Sequence, residues 1–131
     1  MRISRSTGYA MLAVGYMGKN ADKKIILSDD ISKEYNIPLE YLLKILQQLV
    51  RANILRSKRG PRGGFSLAKP ISKINMLEVI IAVDGPMNNQ LNLEEQVPDK
   101  KFTDKIESVY GKAISQASAI FEKTKFNTLI S

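Results

Sequence analysis

The amino-acid sequence predicts a mainly α-helical protein that carries one small β-hairpin and ends in a long helix. Three observations predict it. Apolar residues recur at helical spacing in several segments. Two short alternating segments flank the glycine-rich stretch SKRGPRGGF, Ser57 to Phe65. A last apolar stripe begins at Phe102 and runs longer than any other.

The elements follow in order. Tyr9, Leu12, Ala13, Tyr16 and Met17 share one face, which predicts a first helix over 5–18. Lys19 to Lys24 is a polar turn, and Ile25 to Leu27 suits a short strand. Ser28 is expected to cap a second helix, with Asp29 and Asp30 in its first turn, where the helix dipole favours acid. Asn36 can take the left-handed conformation that ends this helix near Tyr35. Pro38 suits the first position of a third helix. On that helix Leu39, Leu42, Leu46, Leu49, Val50 and Asn53 fall on one side; Glu40, Lys44, Gln47, Gln48 and Arg51 fall on the other. Two helices joined this tightly form a helix-turn-helix.

Ile54 to Lys58 and Phe65 to Lys69 alternate as strands, and the stretch between them is the hairpin loop. Gly63 and Gly64 there permit positive φ and close approach to a phosphate backbone. Asn75 with Glu78 reads as a capping box opening a fourth helix through Val83, which Gly85 and Pro86 stop. Residues 87–99 read as a polar loop. Phe102, Ile106, Val109, Tyr110, Ala113, Ala117, Ile120 and Phe121 then line one stripe of a helix of roughly six or seven turns. The order of helices, hairpin and helix is that of a winged helix-turn-helix with the hairpin loop as the wing. It divides the chain into a winged domain over 1–86 and a loop with a dimerisation helix over 87–131.

Charge is uneven. Residues 1–86 hold 14 Lys/Arg against 7 Asp/Glu, whereas residues 87–131 hold 6 of each, so the first part carries the whole net charge of +7. Residues 41–77 hold eight basic residues and no acidic one. Such asymmetry points to a polyanionic partner, or else to a solvated basic face. The chain has no Cys and no His. That excludes disulfides, thiolate zinc sites, cysteine-held iron–sulfur clusters and cysteine nucleophiles, and removes the commonest general base. No apolar run approaches a membrane span, and the N-terminus lacks a signal-peptide cleavage site, so the sequence reads as cytoplasmic with no membrane partner.

Met1-Arg2-Ile3-Ser4 with Gly8-Tyr9-Ala10, Ile37-Pro38-Leu39-Glu40-Tyr41-Leu42, Arg59-Gly60-Pro61-Arg62-Gly63-Gly64-Phe65 and Val83-Asp84-Gly85-Pro86 together resemble the Rrf2 family of bacterial transcription regulators. The resemblance covers residues 1–86. It implies a homodimer held by the long helix, binding double-stranded DNA at a two-fold-symmetric operator. Carried over residue by residue, it implies DNA contacts from Arg2, Tyr9, Ser28, Pro38, Glu40, Tyr41, Leu43, Lys44, Arg59, Gly60, Pro61 and Arg62. Leu43 stands where many members have Glu; it either widens the core stripe or offers apolar contact to a thymine methyl. The best-known branch holds an iron–sulfur cluster on three cysteines in the loop after the fourth helix; this chain has none, so the expectation is a member without a cofactor.

The leading expectation is a sequence-specific DNA-binding regulator, a repressor, with an effector, small molecule or protein, left open. A winged-helix module that binds protein, or a regulator controlled by a partner protein, is the alternative. A small enzyme finds no nucleophile–base pair, and RGPRGG lacks the Lys-Ser/Thr ending of a P-loop. In the 87–99 loop, Asn88, Asn89, Gln90, Glu94, Glu95 and Asp99 could take a polar ligand or a hard cation, or simply be solvated.

Overall fold

The computed structural model describes residues 2–58, 63–93 and 99–131. Ser4 opens α1 (Arg5–Lys19) by accepting the Thr7 backbone N–H at 3.2 Å. A short strand β1 (Ile26–Leu27) runs directly into α2 (Ser28–Tyr35). The extended residue Leu27 therefore occupies the cap position, with no side-chain capping bond, and Ser28 is the first residue of the helix rather than its cap, contrary to expectation. Asn36 ends α2 in the left-handed conformation, with φ 54°. Pro38 stands one position before α3 (Leu39–Arg51) rather than in it, and its carbonyl accepts the Leu42 N–H at 2.9 Å. Asn53, placed by the helical wheel on the apolar side, lies beyond α3 with φ 61° and turns the chain into the hairpin.

The hairpin is β2 (Leu55–Lys58) with β3 (Gly64–Leu67), and β1 adds to it as a third antiparallel strand in the order β1-β3-β2. Ile26 pairs with Phe65 and Leu27 with Gly64. That pairing explains Gly64 in a way the sequence did not suggest. It does not have positive φ; instead a Cβ there would sit 1.8 Å from Cγ2 of Ile25. A β-branched neighbour cannot swing away freely. Gly64→Ala should therefore cost about 1–3 kcal/mol, as overpacking does, and lower the thermal midpoint. A midpoint equal to that of the parent would remove this explanation.

A 3₁₀ turn, Ile71–Lys73, leads to α4 (Met76–Asp84). The expected capping box is present: Glu78 N–H donates to Asn75 Oδ1 at 2.9 Å and Asn75 N–H to Glu78 Oε2 at 3.1 Å. Gly85 follows with φ 84°, outside the range that other residues adopt easily. The long helix α5 (Lys100–Lys123) is capped by Asp99 and extends about 36 Å at 1.5 Å per residue. A last short helix, α6 (Phe126–Ile130), was not foreseen.

The core lies where α1, α3 and the sheet meet. Ala10, Ala13, Val14 and Met17 of α1 close on Leu42, Leu46 and Leu49 of α3, with Ile31, Ile37, Ile54 and Phe65 around them, all essentially inaccessible. Each such large side chain contributes about 1.5–3 kcal/mol of burial. The core expected to be complete within residues 1–86 takes one more member, Phe126. Two backbone bonds hold that segment: Met76 N–H to the Thr124 carbonyl, and Phe126 N–H to the Ile74 carbonyl. The long helix thus leaves the core at one end and the chain returns to it at the other.

The α5 stripe divides. The buried residues of the helix, Thr103 and Ile114, lie outside the expected stripe, within which Ile106, Tyr110, Ala117 and Phe121 are half-buried. Phe102, Val109, Ala113 and Ile120 remain exposed.

Candidate nucleic-acid interface

A helix buried on one side must present the remainder to solvent. The first turns of α3 expose Glu40, Tyr41 and Lys44, and the last exposes Arg51, with Gln47 and Gln48 half-buried between them. This row floors an open concavity of about 650 Å³ whose far wall is Ser6 of α1. The floor is an α-helix surface presenting amide, ammonium and guanidinium donors, the groups that pair with base edges and phosphates in a major groove.

Two tyrosines add contacts between α1 and α3 beside the core packing. The Tyr41 hydroxyl is 2.5 Å from the Ser6 hydroxyl, and the Tyr41 ring meets Tyr9 edge-on with centroids 5.7 Å apart. Tyr9 and Tyr41 are thus brought together, and Tyr41 still leaves 41% of its surface exposed toward the concavity. Pro38 is exposed at the head of α3. Ser28 does not join this surface. Leu43 packs in the core and is 9% exposed, yet it also lines the concavity beside Lys44, so it widens the apolar stripe while its edge borders the α3 surface. Ser28 is buried at the β1–α2 junction, which leaves its side chain little to offer a ligand.

The wing residues Arg59, Gly60, Pro61 and Arg62 lie outside the described residues. Its root is described: Arg56 and Lys58 on β2 are exposed. Sequence reasoning did not select Ser6, Gln47, Gln48, Arg51, Arg56 or Lys58. The acid-free run over 41–77 was the signal for the basic ones; nothing local marked Ser6.

Arg2 is exposed just ahead of α1. The turn carrying it is clasped to the end of α4 by one carboxylate oxygen: Asp84 Oδ2 accepts the Ser4 N–H at 3.0 Å and the Thr7 hydroxyl at 2.7 Å. Burial pushes the Asp84 carboxyl up, but the hydrogen bonds from Ser4 and Thr7 outweigh it and hold the group below its ordinary value. A depressed folded-state value means that the clasp's contribution is present above the unfolded value and is lost as pH falls through the folded one. It is therefore closed throughout the neutral range.

In the loop after α4, the Leu91 and Leu93 N–H groups donate to the two oxygens of Glu107 on α5, at 3.0 and 3.1 Å. Those backbone donors hold the Glu107 carboxyl below its usual range. Of the residues considered for a polar ligand or cation, Asn88 Oδ1 is taken by the Gln90 N–H and Asp99 caps α5. Glu94 and Glu95 lie outside the described residues. Among the described residues no cluster of carboxylates could hold a metal ion, and no helix is long and apolar enough to cross a membrane.

Comparison with known proteins agrees with this geometry. The sequence profile of the Rrf2 family, described as iron-dependent transcriptional regulators, matches residues 3–131. The transcriptional regulator IscR of Cereibacter sphaeroides is 31% identical over 90 residues, covering 67% of this chain and 58% of that protein. BadM of Rhodopseudomonas palustris is 33% identical over 99 residues, 76% of this chain and 61% of that one. The chain therefore spans a little over half the length of these relatives. Among solved structures, CymR, the global cysteine regulator of B. subtilis, superposes with a TM-score of 0.82 at 20% identity, covering 99% of this chain and 96% of that one. IscR of T. potens gives 0.77 at 18% identity, covering 99% and 86%. These two share the fold. The donor set here does not fit the iron named in the family's description as a thiolate-held cluster, since the chain has neither Cys nor His.

Proposed function

This chain belongs to the Rrf2 family of transcriptional regulators, and from that premise we propose that it is a cofactor-free repressor that binds a two-fold-symmetric DNA operator as a homodimer. Helix α3 enters the major groove and the wing lies along the adjacent minor groove. The observation that carries the reading is the exposed row on α3, Glu40, Lys44 and Arg51, continuous with a stretch of eight basic residues and no acidic one. A module built only to bind protein would have no need of such a stretch.

The dimer reading rests on α5. Phe102, Val109 and Ile120 are 57%, 70% and 64% exposed and lie on one side of the helix. Soluble monomers limit exposed large apolar side chains aligned on one helix face, and a two-fold helix pair is the simplest way to cover these.

Lys44→Ala tests the α3 assignment. Pointing at base edges, Lys44 should contribute about 1–3 kcal/mol at the operator and much less on scrambled duplex. Fluorescence anisotropy with operator selected from genomic fragments reads both. An equal loss on both duplexes would make Lys44 a phosphate contact; no loss on either would take α3 out of the groove.

A further inference from the structure

We propose that a pocket between the N-terminal turn, the end of α4 and α5 binds a small carboxylate with a compact apolar body, and that the bound ligand draws Arg2 away from DNA. This deepens the regulator reading and rests on it for its DNA-linked part.

The pocket measures about 200 Å³. That is far above the roughly 15 Å³ that a single water needs and below the range of drug-sized sites, so it selects a compact molecule. Its floor is apolar and rigid: Ile80 of α4 is 2% exposed and Ile114 of α5 is 6% exposed. The Tyr110 ring and Met87 complete the apolar wall. These residues come from separate elements, so the cavity exists only where α5 packs back on α4.

The rim supplies charge. Asp84 and Arg2 both line it. Asp84 is committed through Oδ2 to Ser4 and Thr7. Arg2 has no ion pair among the described residues. A guanidinium fork over an apolar pocket is suited to a planar carboxylate, which it can take bidentately. Arg2 therefore favours a carboxylate over an uncharged polar group, and the ionised Asp84 on the same rim restricts the ligand to a monoanion, with a branched or ring-shaped body in the apolar part.

Position gives the pocket its consequence. Arg2 precedes the α1 turn that carries Ser6, and Ser6 is hydrogen-bonded to Tyr41 at the head of α3. A guanidinium turned inward onto a ligand carboxylate is not available to a phosphate. The two anions compete for one side chain, and the coupling is reciprocal: DNA lowers ligand affinity as much as ligand lowers DNA affinity.

The test uses the full chain with labelled isoleucine methyl groups, followed by NMR. The probes are 3-methylbutanoate and phenylacetate, with 3-methylbutanamide as the uncharged control. At least one acid should move the Ile80 and Ile114 methyl signals saturably. The amide should not, and Arg2→Gln should weaken the acid by about tenfold or more. Arg2 is exposed, so the variant should melt with the parent. With operator present, saturating acid should weaken DNA binding by about fivefold or more, in the parent and not in Arg2→Gln. Absence of saturable shifts with both acids, equal shifts with the amide, or indifference to Arg2→Gln would each overturn the site. Arg2-dependent shifts with unchanged operator affinity would overturn the coupling. Arg2-dependent shifts in a protein that binds no duplex would uphold the pocket and sink the regulator reading.

Discussion

Replacing Val109 and Ile120 together by Glu should convert the protein into a folded monomer and weaken operator binding by about 10²–10⁴-fold. Both side chains are largely exposed on the outer side of α5, so the substitutions open no cavity and break no hydrogen bond within the chain. They would place two carboxylates per protomer at the centre of an apolar helix pair, where burying an unpaired charge is prohibitive. The DNA consequence follows from tethering. In a dimer the second winged unit meets its half-site at an effective concentration set by the first, and loss of that advantage accounts for the 10²–10⁴ range. Light scattering reads the mass, and anisotropy on operator and on an isolated half-site reads the affinity. The half-site affinity should be nearly unchanged, which separates loss of the dimer from loss of the DNA surface. A folded dimer from the doubly substituted chain would remove α5 from the interface. Ile114→Glu is the opposing control: Ile114 is buried where α5 packs on its own protomer's α4, so that change should destabilise the protomer itself rather than separate a dimer.

That contrast marks where the sequence was legible. The helix-turn-helix could be read because each signal was local: a left-handed Asn36, a Pro38 at the head of α3, a run of leucines at helical spacing. The capping box at Asn75 was equally local. On α5, periodicity identified an apolar stripe, but period alone cannot say which edge of a stripe meets the protomer. Ile114, the inward residue, stands between Ala113 and Ser115 and drew no notice. Phe126 was missed because a helix of five residues has no periodicity to detect. Ser28 was misread because a good capping residue gave no hint that β1 would run straight into α2 and put Leu27 at the cap. Gly64 was read for its backbone freedom, whereas the pairing of β1 with β3, a contact across more than thirty residues, makes it a matter of space. For the DNA surface, the residues on α3 could be read from the helical wheel. Ser6 could not, since its place opposite Lys44 arises from the tertiary packing of α1 on α3, to which the Tyr9–Tyr41 contact belongs.

The second large effect is expected at the wing. Arg59→Ala with Arg62→Ala should weaken binding to every duplex, matched or scrambled, and flatten its salt dependence. The cause is counterion release: each phosphate neutralised by the protein contributes about 0.9 to the slope of log affinity against log salt. Two arginines per wing and two wings per dimer make four contacts, so the slope should fall by roughly 3–4 units. Sequence context sharpens the expectation. No acidic residue lies within residues 41–77, so the neighbouring sequence offers this pair of arginines no acidic partner. The hairpin root places exposed Arg56 and Lys58 on the strand that leads to them. If the arginines also sense groove width, the loss should be largest where A·T-rich flanks narrow the minor groove and deepen its negative potential. Lys44→Ala provides the contrast in the same titrations, with a loss confined to the operator and a slope changed by at most about 1 unit per protomer. An unaltered slope in the doubly substituted wing, with the thermal midpoint also unaltered, would show that SKRGPRGGF closes a hairpin and does nothing more.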